Sequence, residues 1–136
     1  MVLKYPDSFE MVSVKCDQIG INGLSDQEKM IYTIWWLEAE VNNGGFHQYF
    51  WNSAGDQTEI ALESLTRIGA AITATLLKQA IEIAFHGSLP KTSDGRQNQL
   101  EIDEDSKMEK LEDLDSEFYQ YEEDLTDMLN QYLAKS

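Results

Sequence analysis

The sequence predicts an all-α fold: a single compact helical domain over residues 1–136, built as a bundle of about five to seven helices around a buried central helix. Three observations carry this. Apolar residues recur at steps of three and four along most of the chain. No β-branched alternation is long enough for a strand. Capping signals and glycines punctuate the periodic runs at helix-like lengths.

The first helix is expected from near Pro6-Asp7, since proline suits a first turn, and Phe9, Val12, Cys16 and Ile19 form its stripe. Cys16 lies on that stripe and reads as a buried, inert thiol. Gly20, Asn22 and Gly23 end the helix. Ser25-Asp26-Gln27-Glu28 is a capping box that opens a helix running to about Asn42. That helix is apolar nearly all round, from Met30 through Trp35 and Trp36 to Val41, which places it at the centre.

Next comes Asn42-Asn43-Gly44-Gly45-Phe46-His47-Gln48-Tyr49-Phe50-Trp51-Asn52-Ser53-Ala54-Gly55-Asp56. Gly44 sits where a helix-ending residue with positive φ is usual, and Gly45 admits close approach. Phe46, Tyr49 and Phe50 share one face of a short helix, and Asp56 reads as the N-cap of the following one. These rings read as a structural corner in the core, or alternatively as an exposed recognition surface over 46–51. A third helix is expected over about Gln57–Ile68 and a fourth over about Ala70–Phe85, divided by Gly69 and ended at His86. Residues 87–99 read as a surface loop.

The final third, about 101–136, differs in charge. Glu101 to Asp127 holds 13 acids and two bases, against 12 acids and seven bases in residues 1–100. Leu111, Leu114, Phe118, Tyr121, Leu125, Met128 and Tyr132 still keep helical spacing, so this part is one amphipathic helix, or two, with carboxylates outward.

The formal net charge of −15 disfavours nucleic acid and anionic membrane as direct partners. A lone cysteine excludes an internal disulfide framework. With no signal-peptide pattern at the start and no apolar run near membrane length, a cytoplasmic protein is expected. No cofactor or metal is expected, and no catalytic residue stands out. His47 and His86 lack metal-ligand spacing, Gly44-Gly45 lacks the Lys-Ser/Thr of a phosphate loop, and Asp103-Glu104-Asp105 lacks calcium-loop spacing. Glu38 and Glu40 near His47 are the one acid–base grouping to set against a non-enzymatic reading.

The run from Asn42 to Asp56, with Glu38 and Glu40 before it and Leu111-Glu112-Asp113-Leu114-Asp115-Ser116-Glu117-Phe118-Tyr119 after it, resembles the bacterial DNA-mimic protein family, of its C-terminal-domain type. The resemblance spans roughly Leu24 to Leu133. It implies an all-α fold without known catalysis. In the family's best-understood member it implies a mimic of double-stranded DNA that occupies the DNA-binding surface of a helix-turn-helix repressor. A homodimer is compatible with it. Its motif residues Asn43, Gly44, Gly45, Phe46, Gln48, Tyr49, Phe50, Asn52 and Ser53 are mostly apolar, glycine or asparagine, and so mark the fold.

Physical chemistry makes mimicry feasible, because acids at i, i+3 and i+4 on a helix set carboxylates about 5–6 Å apart along a ridge. Glu101, Asp103, Glu104, Asp105, Glu109, Glu112, Asp113, Glu117, Glu123, Asp124 and Asp127 are the candidate phosphate surrogates. The partner would be a basic, DNA-binding protein. The alternative is a protein-interaction or immunity-type module that binds through the aromatic 46–51 surface, with the acids serving solubility.

Overall fold

A computed structural model describes residues 2–136. Among them are seven α-helices: α1 (Phe9–Ile19), α2 (Asp26–Trp51), α3 (Thr58–Arg67), α4 (Ala71–Phe85), α5 (Ser93–Glu101), α6 (Glu104–Tyr119) and α7 (Leu125–Lys135). Short 3-10 turns at Ile21–Gly23 and Ser53–Gln57 join the first three. No strand occurs among the described residues. The chain is all-α, as its periodicity dictates.

α2 is the axis on which α1, α3, α5, α6 and α7 pack, while α4 lies mainly against α6 and α3. Met30, Ile31, Ile34, Leu37 and Val41 are buried together with Phe46, Tyr49 and Phe50. α1 docks on it through Phe9, whose ring stacks on Trp35 at 3.8 Å between centroids. α1 itself begins at Phe9, later than expected, and Pro6 lies in the turn ahead of it after a cis Tyr5–Pro6 bond. Cys16 lies half-buried against the core as a free thiol.

The capping box forms in full. The Glu28 amide donates to Ser25 Oγ at 3.2 Å and the Ser25 amide donates to Glu28 Oε1 at 2.8 Å. Lys15 Nζ reaches the same carboxylate at 2.9 Å. The Ser25 amide, then Lys15, holds Glu28 below the usual carboxylate range. A depressed folded-state pKa means this contribution is full at neutral pH and fades as pH falls through that value. Ser25→Ala is expected to destabilise the chain by about 1 kcal/mol, read as a lower urea midpoint.

The corner after α2 departs from expectation in three ways. The break falls at Gly45 (φ 82, ψ −178) and not at Gly44, which stays helical, so the first segment of α2 runs to Gly44 and the expected short aromatic helix follows the kink to Trp51. Asp56 does not cap α3: Gln57 holds that position, and Asp56 pairs with Arg96 at 2.8 Å. The stretch 87–99 is not a surface loop throughout, because Ser93–Glu101 forms α5. Thr92 caps that helix, accepting from the Gly95 amide at 3.0 Å, and its single apolar residue, Leu100, is fully buried.

α5 closes the end of α2. A helix leaves its last carbonyls without partners. Arg96 Nε donates to Phe50 O at 2.8 Å, Gln97 Nε2 to Trp51 O at 2.9 Å, and an Arg96 terminal nitrogen to Asn52 O at 3.2 Å. Three successive carbonyls are thus satisfied from one helix. Gly55 is required here, since a Cβ on it would stand 2.8 Å from Arg96 Nε.

Candidate acidic interface

α6 is seated on this corner. Lys107, Leu111, Leu114 and Phe118 form its buried seam, at the i, i+4, i+7, i+11 positions of one face. Lys107 buries its stem and donates from Nζ to Gln99 O at 2.5 Å, so its charge is turned inward to the end of α5. At about 100° per residue, Asp105, Glu109, Glu112 and Ser116 point directly away from the seam, with Asp113 beside them. All five are exposed. None of the acids among them takes part in an ion pair among the described residues.

The two flanks of α6 are different. On the α2 side, Asp115 is half-buried and accepts from the Phe46 amide at 2.8 Å. That amide lost its helical partner at the Gly45 break, so Asp115 caps the last turns of α2 from across the fold. Burial pushes its carboxyl above the ordinary value, with Glu112 adding to this and the Phe46 amide opposing it. Glu104 lies 3.4 Å from His47 Nε2, and the His47 ring stacks on Trp51. A groove of about 380 Å³ runs here between Gly44 and His47 on one wall and Met108, Glu112 and Tyr119 on the other. On the α4 side, Glu117 faces a second groove of about 400 Å³.

The remaining candidate acids are placed as follows. Glu101 and Asp103 are exposed at the α5–α6 junction. Glu123 is engaged inside the fold: it accepts from the Ile72 and Thr73 amides at 3.1 and 2.7 Å, capping α4, whose own N-cap Ala70 has no side-chain acceptor. Asp124 caps α7 by accepting from the Asp127 amide at 3.0 Å, and Asp127 accepts from Gln131. The structure therefore separates a free ridge on α6 from acids that hold helix ends.

The motif residues act on the fold. Phe46 and Phe50 are fully buried and Tyr49 is 1% exposed, so the rings are core and cannot form an aromatic recognition surface. Only His47 and Trp51 of that run keep partial exposure among its rings. Gln48 and Asn52 both donate to Glu40, at 2.8 and 3.1 Å, across the kink. Gly44 leaves room for this, because a Cβ on it would collide with Gln48 Oε1. Asn43 and Ser53 are exposed, with Ser53 opening the 3-10 turn. Glu38 is bound elsewhere, accepting from Tyr121 at 3.0 Å and from Tyr5. Burial raises its pKa. Glu38, Glu40 and His47 thus each serve different partners and share no pocket.

Sequence reasoning missed Arg96 and Asp115. Thr92 with Asp94 in the following turn was a readable helix start for the first. Asp115 had no such signal, because its partner is a backbone amide 69 residues away.

Together these features define a small, all-helical acidic protein that carries a row of exposed, unpaired acids along α6. Comparison with protein-family models gives a match to the family described as DMP19-like protein over residues 22–136, and the chain belongs to that family, which is one of DNA mimics. No curated protein and no solved structure gives a match. Among the described residues no helix is long and apolar enough to cross a membrane.

Proposed function

We propose that this chain is a non-enzymatic DNA mimic whose α6 occupies the DNA-binding surface of a basic protein such as a helix-turn-helix regulator. The observation that carries this is the ridge of Asp105, Glu109, Glu112 and Asp113, exposed and unneutralised on a helix fixed by Asp115 and Lys107. Glu101, Asp103, Glu104 and Glu117 extend it, while Glu123 and Asp124 are better assigned to helix capping.

Charge density sets the scale of the mimicry. α6 spans 16 residues with seven acids and two lysines. At a rise of about 1.5 Å per residue that is roughly one net charge per 5 Å, against about one per 3.4 Å along one DNA strand. One helix therefore imitates part of a single strand, and the acids at the α5–α6 junction are needed to lengthen the footprint. Association rests on charge and weakens as salt rises.

The test is displacement of a labelled operator duplex from a purified helix-turn-helix regulator at low salt, read by fluorescence anisotropy. The native chain is expected to displace the duplex. The triple variant Glu109→Lys, Glu112→Lys, Asp113→Lys is expected to lose about 100-fold in affinity without a lower melting temperature, because these side chains hold nothing in the fold. Undiminished displacement by the triple variant would sink the proposal, as would failure to compete with DNA on any basic regulator.

A further inference from the structure

We infer that the groove between α4 and α6 is an anchor site for an amphipathic basic helix of the partner, which seats an apolar side chain on Ile72 and Leu76 and sets Lys or Arg against Glu117 and Glu122. This rests on the reading of α6 as the partner-facing helix and adds to it an apolar, salt-resistant contact.

The groove's floor comes from one face of α4. Ile72, Thr75, Leu76 and Gln79 fall at i, i+3, i+4 and i+7, and with Glu117 and Glu122 opposite they line about 400 Å³. Ile72 is 45% exposed, a large aliphatic side chain left in water on the outer face of α4. Leu76, one turn further along, is 6% exposed and forms the bottom of the groove. Four residues of helix rise about 6 Å, so two apolar side chains one turn apart on an incoming helix match this pair.

The rim supplies the charge complement. Glu117 stands on the α4 flank of α6 and Glu122 in the turn after it. Neither side chain has a hydrogen-bond or ion-pair partner among the described residues, and no base lines the groove. The neighbouring Glu123 is different, since it is committed to the Ile72 and Thr73 amides. That bond closes the N-terminus of α4 to an anion and fixes the groove's end wall. A floor that is apolar at Ile72 and Leu76, beneath two unpaired carboxylates, fits a segment carrying leucine between lysines or arginines. A purely polar polycation would leave Ile72 in water.

The test uses the full 15N-labelled chain and two 18-residue helical peptides of equal positive charge. One carries two leucines four residues apart among lysines, and its twin has glutamine at those two positions. The leucine peptide is expected to shift the amides of Ile72, Thr75, Gln79 and Glu122 saturably. It should bind about tenfold tighter than its twin at 0.3 M salt, as partial burial of a leucine gives. Thr75→Trp fills the groove at an exposed position without changing charge, and is expected to abolish that tenfold difference while leaving the twin's affinity unchanged. Equal binding of both peptides, with shifts confined to Asp105–Asp113, would overturn the anchor site and leave the α6 ridge standing. Binding of neither peptide at low salt would overturn both. Groove shifts on diluting the protein alone would assign the site to a second copy and overturn the proposal.

Discussion

Arg96→Met is expected to lower the unfolding free energy by about 3–5 kcal/mol, the range for removing one partner of a buried charged network. Methionine keeps much of the stem's volume, so the loss isolates the polar contacts from the packing. Arg96 is fully buried. Without it, Phe50 O and Asn52 O lose donors at the end of α2, and Asp56 faces no cation. A buried carbonyl left unpaired is worth about 1–3 kcal/mol. Asp56→Asn should be far milder, within about 1 kcal/mol, because the Asp56 side chain is 44% exposed and asparagine retains an acceptor. Urea unfolding measures both, through the midpoint at constant slope. If Arg96→Met shifted the midpoint no further than Asp56→Asn, the guanidinium would not be what closes α2. Amide exchange should show the same ordering, with α5 and the Tyr49–Trp51 amides losing protection first in the Arg96 variant.

The contrast between Arg96 and the α6 ridge shows how far the sequence could be read. Helices α1 to α4, α6 and α7 were legible because their apolar spacing is local: Leu111, Leu114 and Phe118 announce α6 by themselves, and α1 showed its spacing although only Val12 of its stripe is buried and Ile19 is exposed. The capping box at Ser25 and Glu28 was legible for the same reason, since donor and acceptor lie three residues apart. α5 was not, because Ser-Asp-Gly-Arg-Gln-Asn-Gln-Leu-Glu has one apolar residue and is held by side-chain bonds to a helix end more than 40 residues earlier. The candidate site divides along the same line. That α6 would face carboxylates outward followed from its periodicity. Which acids would be consumed internally did not: Glu123 and Asp115 are distinguished from Glu112 only by amides that the fold brings to them. The kink moved from Gly44 to Gly45 for a related reason. Both glycines are needed, one to let Gln48 pass toward Glu40 and the other to turn the chain under Asp115.

Gly45→Ala is expected to destabilise by about 3 kcal/mol or more, through two costs that can be separated. At φ 82 and ψ −178 the backbone lies in a region essentially reserved for glycine, worth about 1–3 kcal/mol for any other residue. A Cβ there would also collide with Asp115 Oδ2, so the carboxylate must move and release the Phe46 amide. Asp115→Ala alone loses only that cap, about 1 kcal/mol. In the double variant the collision is gone and the backbone strain remains. The two single costs should therefore exceed the double by about 1–2 kcal/mol, a coupling that a denaturation cycle resolves. Strict additivity would mean that Asp115 does not lie over Gly45. The pH dependence gives an independent check. Burial raises the Asp115 pKa in the fold, so its contribution is most favourable in acid and declines as pH rises through the folded-state value. Asp115→Asn keeps an acceptor for the Phe46 amide and cannot ionise, so its stability relative to the native chain should improve over that interval. The same carboxyl fixes one flank of α6, the helix that also carries Asp105, Glu109 and Glu112.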